Sequence, residues 1–229
     1  MMTGLVRKAT LLSVCGLLGA SVAMAGVPDA AHSSIGVGIT LVGTTSGIAD
    51  VKGQKLIVVK DATGTPVQNS TVVINFTNCA AAEMRLCTTQ PFAGVGVSCA
   101  GKTVVALTDA TGTATFRVVG FALNPGGGVF NAPAPGYGAN GASVAADGVP
   151  LGSLTVGAFD ENGTSGVNTV DIALFLNDRF SFNPGNAVAT ERGRSDYDGN
   201  QAINPVDLAL LLAARTAGGS SVSCAAACP

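Results

Sequence analysis

The feature that most constrains this chain is a twelve-residue loop that occurs twice near its carboxyl end. The first copy, residues 160–171, reads D-E-N-G-T-S-G-V-N-T-V-D, and the second copy, residues 196–207, reads D-Y-D-G-N-Q-A-I-N-P-V-D. Each copy leads into an apolar segment, I-A-L-F-L in the first and L-A-L-L-L in the second. Two copies in the same register predict a duplicated loop–helix unit, with helices near 169–178 and 205–215.

Oxygen-bearing side chains stand in both loops at the positions that a hard cation needs. A calcium loop of this length supplies ligands from positions 1, 3, 5, 7, 9 and 12, with position 7 acting through its carbonyl and position 9 through a water. The alternative is an Asx-rich turn that caps a helix without any ion. The predicted ligands of two calcium ions are Asp160, Asn162, Thr164, Gly166, Asn168 and Asp171 in the first loop, and Asp196, Asp198, Asn200, Ala202, Asn204 and Asp207 in the second.

The duplicated pattern D-x-[ND]-x-[DNST] … N-x-x-D, followed each time by a helix, resembles the dockerin family over about residues 158–217. Asp at position 12 is usual in that family, whereas most calcium-sensor loops carry Glu there. The resemblance implies a small helical module with two EF-hand-type loops that attaches its protein to a cohesin-type partner. A polysaccharide-degrading assembly is the setting that the resemblance suggests for this attachment. The partner-binding residues that it implies, at positions 10 and 11, are Thr169, Val170, Pro205 and Val206.

Two departures from the family pattern affect these expectations. Position 6, commonly Gly, is Ser165 or Gln201, and a non-Gly residue in a left-handed turn costs about 1 kcal/mol. Calcium affinity is therefore expected to be moderate. Asn177 and Ala213 stand where the family carries Lys or Arg, so the fold is expected to carry over better than the partner. The position-8 residues, Val167 and Ile203, are expected to join the loops through a short backbone pairing.

Residues 1–25 have the pattern of a secretory signal. Arg7 and Lys8 precede an apolar stretch that is too short for a stable membrane span, and Ala23-Met24-Ala25 forms an A-x-A cleavage site. A lipid anchor on Cys15 is the less favoured alternative. We therefore predict a secreted or cell-surface protein, and the absence of a basic patch disfavours a nucleic-acid partner.

Residues 26–157 show short β-branched runs separated by Gly, Pro, Asn and Asp, which is typical of an antiparallel β-sandwich. The segments K-D-A-T-G-T-P-V and T-D-A-T-G-T-A-T-F-R-V resemble bacterial immunoglobulin-like domains of surface proteins. The predicted class is thus mostly β: an immunoglobulin-like sandwich followed by the dockerin-like module. Strands are predicted over 35–43, 55–60, 71–77, 103–108, 113–119, 142–146 and 151–157, and residues 121–141 are expected to form a long Gly/Pro loop.

Export to an oxidising environment favours disulfides, and five cysteines follow the predicted signal segment. One pair among the first three is expected to staple the sandwich, and the two in the Gly/Ser/Cys tail, residues 218–229, can pair with each other; the fifth thiol is unpaired or links to another chain. Sequence alone does not determine the connectivity. The candidates are Cys79, Cys87, Cys99, Cys224 and Cys228.

Catalysis is not expected, because His32 is the one histidine and the clustered carboxylates are assigned to the loops. Two non-enzymatic functions remain. In the first, the dockerin-like module binds a cohesin-like protein. In the second, the chain is a structural or adhesive cell-surface protein in which calcium only stabilises the C-terminal module.

Overall fold

The structure is a computed structural model that describes residues 26–79, 84–123, 141–180, 194–200, 202–216, 220, 222 and 224–229. The signal segment, most of the Gly/Pro loop and Gln201 lie outside the described residues. Within the described ranges, neither of the two helices is long and apolar enough to cross a lipid bilayer.

The protein is mostly β: 38% of the described residues lie in strands or bridges and 17% are helical. Each of the seven predicted ranges overlaps a strand, and the remaining strands are short. In chain order they are β1 (Gly38–Leu41), β2 (Thr44–Thr45), β3 (Ile48–Ala49), β4 (Gln54–Val58), β5 (Thr71–Asn75), β6 (Met84–Leu86), β7 (Gly96–Ser98), β8 (Thr103–Leu107), β9 (Thr113–Arg117), β10 (Gly120–Ala122), β11 (Ala142–Ala146) and β12 (Val149–Ala158).

The largest sheet contains six strands in the order β1-β12-β11-β5-β8-β7. Most neighbours are antiparallel, as predicted, but β1 pairs with β12 in parallel, with Gly38 opposite Thr155 and Leu41 opposite Ala158. The purely antiparallel prediction is therefore wrong at this edge. Parallel neighbours need a long connection, and here the whole β-rich part of the chain lies between the two strands.

The main core lies between this sheet and the antiparallel pair β4-β9. Burial alternates along β5, β8 and β9, as expected for strands with one face on a core. Phe116 and Ile57 come from the β4-β9 pair, and Ile74, Val104 and Val144 from the six-stranded sheet, all of them almost fully buried.

The two D-A-T-G-T segments form the tight turns that the sequence predicts. Asp109 Oδ1 accepts hydrogen bonds from the amides of Thr111 and Thr113 at 2.8 and 3.0 Å, and Gly112 has φ +74° between β8 and β9. Asp61 repeats the same bonds. The Asp side chain replaces a backbone acceptor and Gly tolerates the left-handed conformation, so turn chemistry explains both segments.

Helices α1 (Thr169–Phe180) and α2 (Pro205–Thr216) follow the two loops, close to the predicted ranges. They pack around a second core that also includes residues of the β-rich part, Val42 and Val119 among them. Strand β12 ends at Ala158, and the buried Phe159 leads directly into the first loop. The loop–helix unit is thus packed directly against the strands.

The cysteines pair differently from the sequence-based expectation. Cys87 is bonded to Cys224 and Cys99 to Cys228, so both bridges join the tail to the β-rich part. The predicted bridges within each group are wrong because the tail runs back along the strands: Cys228 donates its amide to Leu86 O at 2.7 Å. This places each tail cysteine beside a strand cysteine.

Among the described cysteines, Cys79 is the unpaired one, and it is buried in the main core. Burial raises the pKa of its thiol to about 12, so the reactive thiolate is scarce at neutral pH. We expect the folded mature protein at pH 8 to react with no more than a trace of a thiol reagent such as DTNB, and the denatured, unreduced mature protein to release one equivalent. Rapid labelling of one thiol in the folded protein would contradict this burial.

Candidate metal centre

Three carboxylates of the second loop converge. One oxygen from each of Asp196, Asp198 and Asp207 lies within 4.8 Å of the others. Asp196 and Asp207 are buried, whereas Asp198 is half-buried. Three like charges at this distance repel one another unless a cation or protons compensate them.

Both loops use the position-12 carboxylate as the organiser of the backbone. In the first loop, Asp171 accepts the amides of Glu161 at 2.7 Å and Asn168 at 2.8 Å, one on each oxygen. In the second loop, Asp207 accepts the amides of Tyr197 and Asn204 at 2.8 and 2.9 Å in the same arrangement. Asp207 Oδ1 also accepts the Asp198 amide at 3.3 Å, whereas Asp207 Oδ2 and both oxygens of Asp171 retain a further lone pair for another partner.

Asp160, at position 1 of the first loop, has a carboxylate oxygen without a partner. Its Oδ1 accepts the amide of Gly163 at 2.7 Å, whereas its Oδ2 is buried and accepts no hydrogen bond. A buried acceptor left without a partner costs about 1–3 kcal/mol, and more if it is charged. A cation in the loop would satisfy this atom, so the residues present fit a metal ion.

The other predicted ligands are engaged within their own loops. The hydroxyl of Thr164 donates to Asn162 Oδ1, and the Asn200 side-chain amide donates to Asp198 Oδ2 at 2.8 Å. Asn168 Nδ2 donates to the carbonyl of Gly166, the position-7 ligand, at 3.0 Å, and Asn204 Nδ2 is 3.3 Å from the carbonyl of Ala202. A bound ion would replace some of these weak internal bonds.

Burial affects the ionisation of both position-12 residues. It raises the pKa of Asp171 to about 6, with the nearby Asp160 acting in the same direction, and it also raises the pKa of Asp207. A cation within coordination distance acts in the opposite direction because it favours the charged carboxylate. Metal binding and proton release are therefore expected to be linked.

The backbone makes the sharp turn that position 6 of such a loop requires. Ser165 has φ +65°, and Gly163 and Gly199, both at position 4, have φ +70° and +73°. Ser165 is thus one of the few non-Gly residues in the left-handed region. Its conformation agrees with the strain expected from the sequence.

Replacing Ser165 by Gly is expected to stabilise the first loop by about 1 kcal/mol, because Gly adopts this φ without a steric cost. The change should raise the calcium affinity of the first loop about fivefold and leave the second loop unaffected. Calorimetric titration of the variant measures both. Ser165→Ala retains the strained backbone conformation and is the matched control. An equal gain in calcium affinity in that variant would refute the conformational explanation.

The position-8 residues do not join the two loops. The Val167 amide donates to the carbonyl of Ser220 at 2.9 Å, and no backbone hydrogen bond connects these described residues, Val167 and Ile203. Ser220 also bonds to Asp50 Oδ2 at 3.0 Å and accepts the Gly43 amide at 3.0 Å. The tail, anchored nearby by the Cys87–Cys224 disulfide, therefore supplies the backbone partner of Val167 that was expected from the second loop.

The four predicted partner-binding residues lie on the surface at the starts of the two helices. Thr169 and Pro205 are exposed, and Val170 and Val206 have exposures of 50% and 53%. The equivalent positions of the two loops therefore present the same type of apolar side chain to solvent.

A buried polar cluster between the loops was not foreseen from the sequence. Tyr197 Oη donates to Glu161 Oε1 at 2.5 Å, and Arg194 contacts Asp178 through Nε at 2.8 Å and Glu161 Oε2 at 3.5 Å. Ser195 Oγ lies 2.7 Å from Glu161 Oε1 and 2.9 Å from Asp178 Oδ2. All five residues are buried. The available signal was that Glu161 and Tyr197 both occupy position 2 of their loops, a position that supplies no ligand in a calcium loop of this length.

Burial raises the pKa of Glu161 to about 8, although Arg194 opposes this shift, and burial also raises the pKa of Tyr197. Burying these charged groups therefore costs desolvation free energy, which the hydrogen bonds and ion pairs within the cluster offset.

Comparison with known proteins identifies no relative. No family model, curated protein or solved structure matches this chain. The functional argument therefore rests on the geometry of the loops.

Proposed function

We propose that the chain is a secreted, non-catalytic protein whose two loops each bind one calcium ion. The observation that carries the proposal is the convergence of Asp196, Asp198 and Asp207 within 4.8 Å. The buried, unpartnered Oδ2 of Asp160 supports the same proposal for the first loop. All side-chain donors in both loops are oxygens, which suit a hard cation such as calcium better than zinc or copper.

The first test is a calorimetric titration of calcium into the mature, chelator-treated protein. We expect two binding events, and magnesium as the control ion should bind more weakly because it requires a more rigid octahedral site. The absence of heat with calcium would leave the loops as Asx turns and would refute the proposal.

Replacing Asp207 by Ala is expected to reduce calcium binding more than replacing Asp171. The second loop supplies three carboxylates and the first supplies two, and ligand charge raises affinity. We expect each variant to lose at least about tenfold in affinity at its own site, with the greater loss of total binding energy in the Asp207 variant. Equal losses in the two variants would show that the ranking is wrong.

We further propose that the loop–helix unit is dockerin-like and attaches the protein to a cohesin-type partner, with an immunoglobulin-like sandwich as the displaying domain. The support is the matched exposure of Val170 and Val206 at the starts of the helices. A pull-down with cohesin modules, with and without calcium, tests this. Replacing both valines by Ser should abolish binding, and Val37→Ser, at another exposed position, is the control.

The second candidate function is structural or adhesive, with calcium serving only to stabilise the module. It is favoured by the tail, which ties the first loop to the strands through Ser220, and by Asn177 and Ala213 at the positions where the family carries basic residues. Retention of two calcium sites together with no cohesin binding would select this function.

A further inference from the structure

The position-2 residues of the two loops meet each other across the module. Glu161 and Tyr197 occupy equivalent places, and the hydroxyl of Tyr197 donates to Glu161 Oε1 at 2.5 Å. The amide of each residue donates to the position-12 carboxylate of its own loop, at 2.7 Å to Asp171 and 2.8 Å to Asp207. Each residue therefore donates its amide to the organising carboxylate of its own loop and contacts, through its side chain, the position-2 residue of the other loop.

The contact is buried and well packed. Glu161 is fully buried, and the Tyr197 ring lies 4.9 Å from the Phe159 ring and 6.0 Å from the Phe175 ring, centroid to centroid. A carboxylate in such surroundings loses heavily if a hydrogen-bond partner moves away, because water cannot replace it. The orientation of Tyr197 is consequently important for the stability of Glu161, and the reverse also holds.

No backbone hydrogen bond joins the position-8 residues of the two loops, Val167 and Ile203, both of which the structure describes. The amide of Val167, at position 8 of the first loop, bonds to Ser220 rather than to Ile203 of the second loop. The side-chain pair at position 2, Glu161 and Tyr197, is a direct polar contact between the two loops.

We propose that Glu161 and Tyr197 are positioning residues that couple the two sites, so that calcium in one loop raises the affinity of the other. This inference rests on the proposed function, that both loops bind calcium. Calcium in the second loop would fix the position of Asp207, whose carboxylate accepts the Tyr197 amide. The Tyr197 side chain, and with it the hydroxyl that contacts Glu161, is then held in place. Glu161 then has its buried partner in place, and the first loop loses less conformational entropy when its own ion binds. Linkage requires the same coupling in the other direction.

The experiment is calorimetric titration of calcium into the full mature chain and its Tyr197→Phe variant, which retains the ring packing and removes the hydroxyl. We expect the natural protein to bind two ions with positive cooperativity, with a coupling factor on the order of tenfold. The variant should still bind two ions, but with a coupling factor near one. Tyr137→Phe removes the hydroxyl of the other tyrosine, which lies outside the described residues, and is the matched control.

Disabling one site gives an independent measurement of the same coupling. Asp160→Ala removes the position-1 ligand of the first loop. In the natural background it should lower the affinity of the second loop by about the coupling factor, whereas in the Tyr197→Phe background the second loop should be unaffected. A structural role alone would not produce this dependence on background.

A conservative variant covers the case in which Tyr197→Phe does not fold. Glu161→Gln retains an acceptor oxygen for the tyrosine hydroxyl and should retain cooperativity. Loss of cooperativity in this variant would overturn the proposal, as would cooperativity that persists in Tyr197→Phe. Two independent sites in the natural protein would overturn the coupling but leave calcium binding intact. Failure to bind calcium at all would overturn the proposed function together with the coupling.

Discussion

Removing calcium from the mature protein is expected to unfold helices α1 and α2 while the main sheet remains. Each helix has twelve residues, a length that is marginal in water without tertiary support. Without an ion, Asp196 and Asp207 place negative charges close together in a largely buried loop. Their repulsion opposes the backbone arrangement from which α2 begins.

The magnitude follows from mass action. An ion that binds only the folded state adds about 2.7 kcal/mol per site when its free concentration is 100 times the dissociation constant. Two occupied sites would therefore add about 5 kcal/mol to the stability of the module, a large part of what a small module has.

Far-UV circular dichroism and thermal unfolding, in calcium and in a chelator, measure this effect. We expect loss of helical signal in the chelator and an additional low-temperature transition, with the β-rich core unfolding separately because its residues form a distinct cluster. The double variant Asp160→Ala with Asp196→Ala removes the position-1 ligand of both loops and should show the same behaviour in calcium, whereas unchanged helix content in the chelator would contradict the prediction.

Replacing Cys87 and Cys224 together by Ser is expected to lower the free energy of unfolding by about 2–5 kcal/mol. The bridge closes a loop with a sequence separation of 137 residues, and long loops gain most from a crosslink in the chain-entropy description. The bridge also holds the tail near Ser220, whose carbonyl accepts the Val167 amide of the first loop.

Denaturant unfolding of the double variant measures the loss, and calcium titration measures a second effect. Because the variant removes the bridge nearer to Ser220 and retains Cys99–Cys228, the affinity of the first loop should fall more than that of the second. The pair Cys99→Ser with Cys228→Ser removes a bridge of similar span, at a separation of 129 residues, and is the matched control. Equal effects of the two pairs on the first loop would show that the Ser220 contact does not transmit the constraint.

Local features of the chain were predictable because they depend on neighbouring residues. Alternating β-branched residues predicted the seven main strands, the D-A-T-G-T segments predicted their turns, and the apolar periodicity after each loop predicted both helices. The left-handed conformation of Ser165 was also predictable, since its position in the repeated loop requires a sharp turn whatever residue stands there. The candidate ligands were likewise identified from spacing alone, and in the second loop the structure brings three of them together.

Long-range features were decided only by the tertiary structure. The pairing of Cys87 with Cys224 depends on the path of the tail, which no local pattern reports. The same path places Ser220 beside Val167, and the approach of chain-distant strands creates the parallel β1-β12 pair. The contact between Glu161 and Tyr197 arises when the two loop–helix units pack face to face. The sequence by itself determined the elements and the ligand spacing because both are set by residues a few positions apart. Which distant groups meet depends on how all the elements share two cores, and only the folded chain decides that.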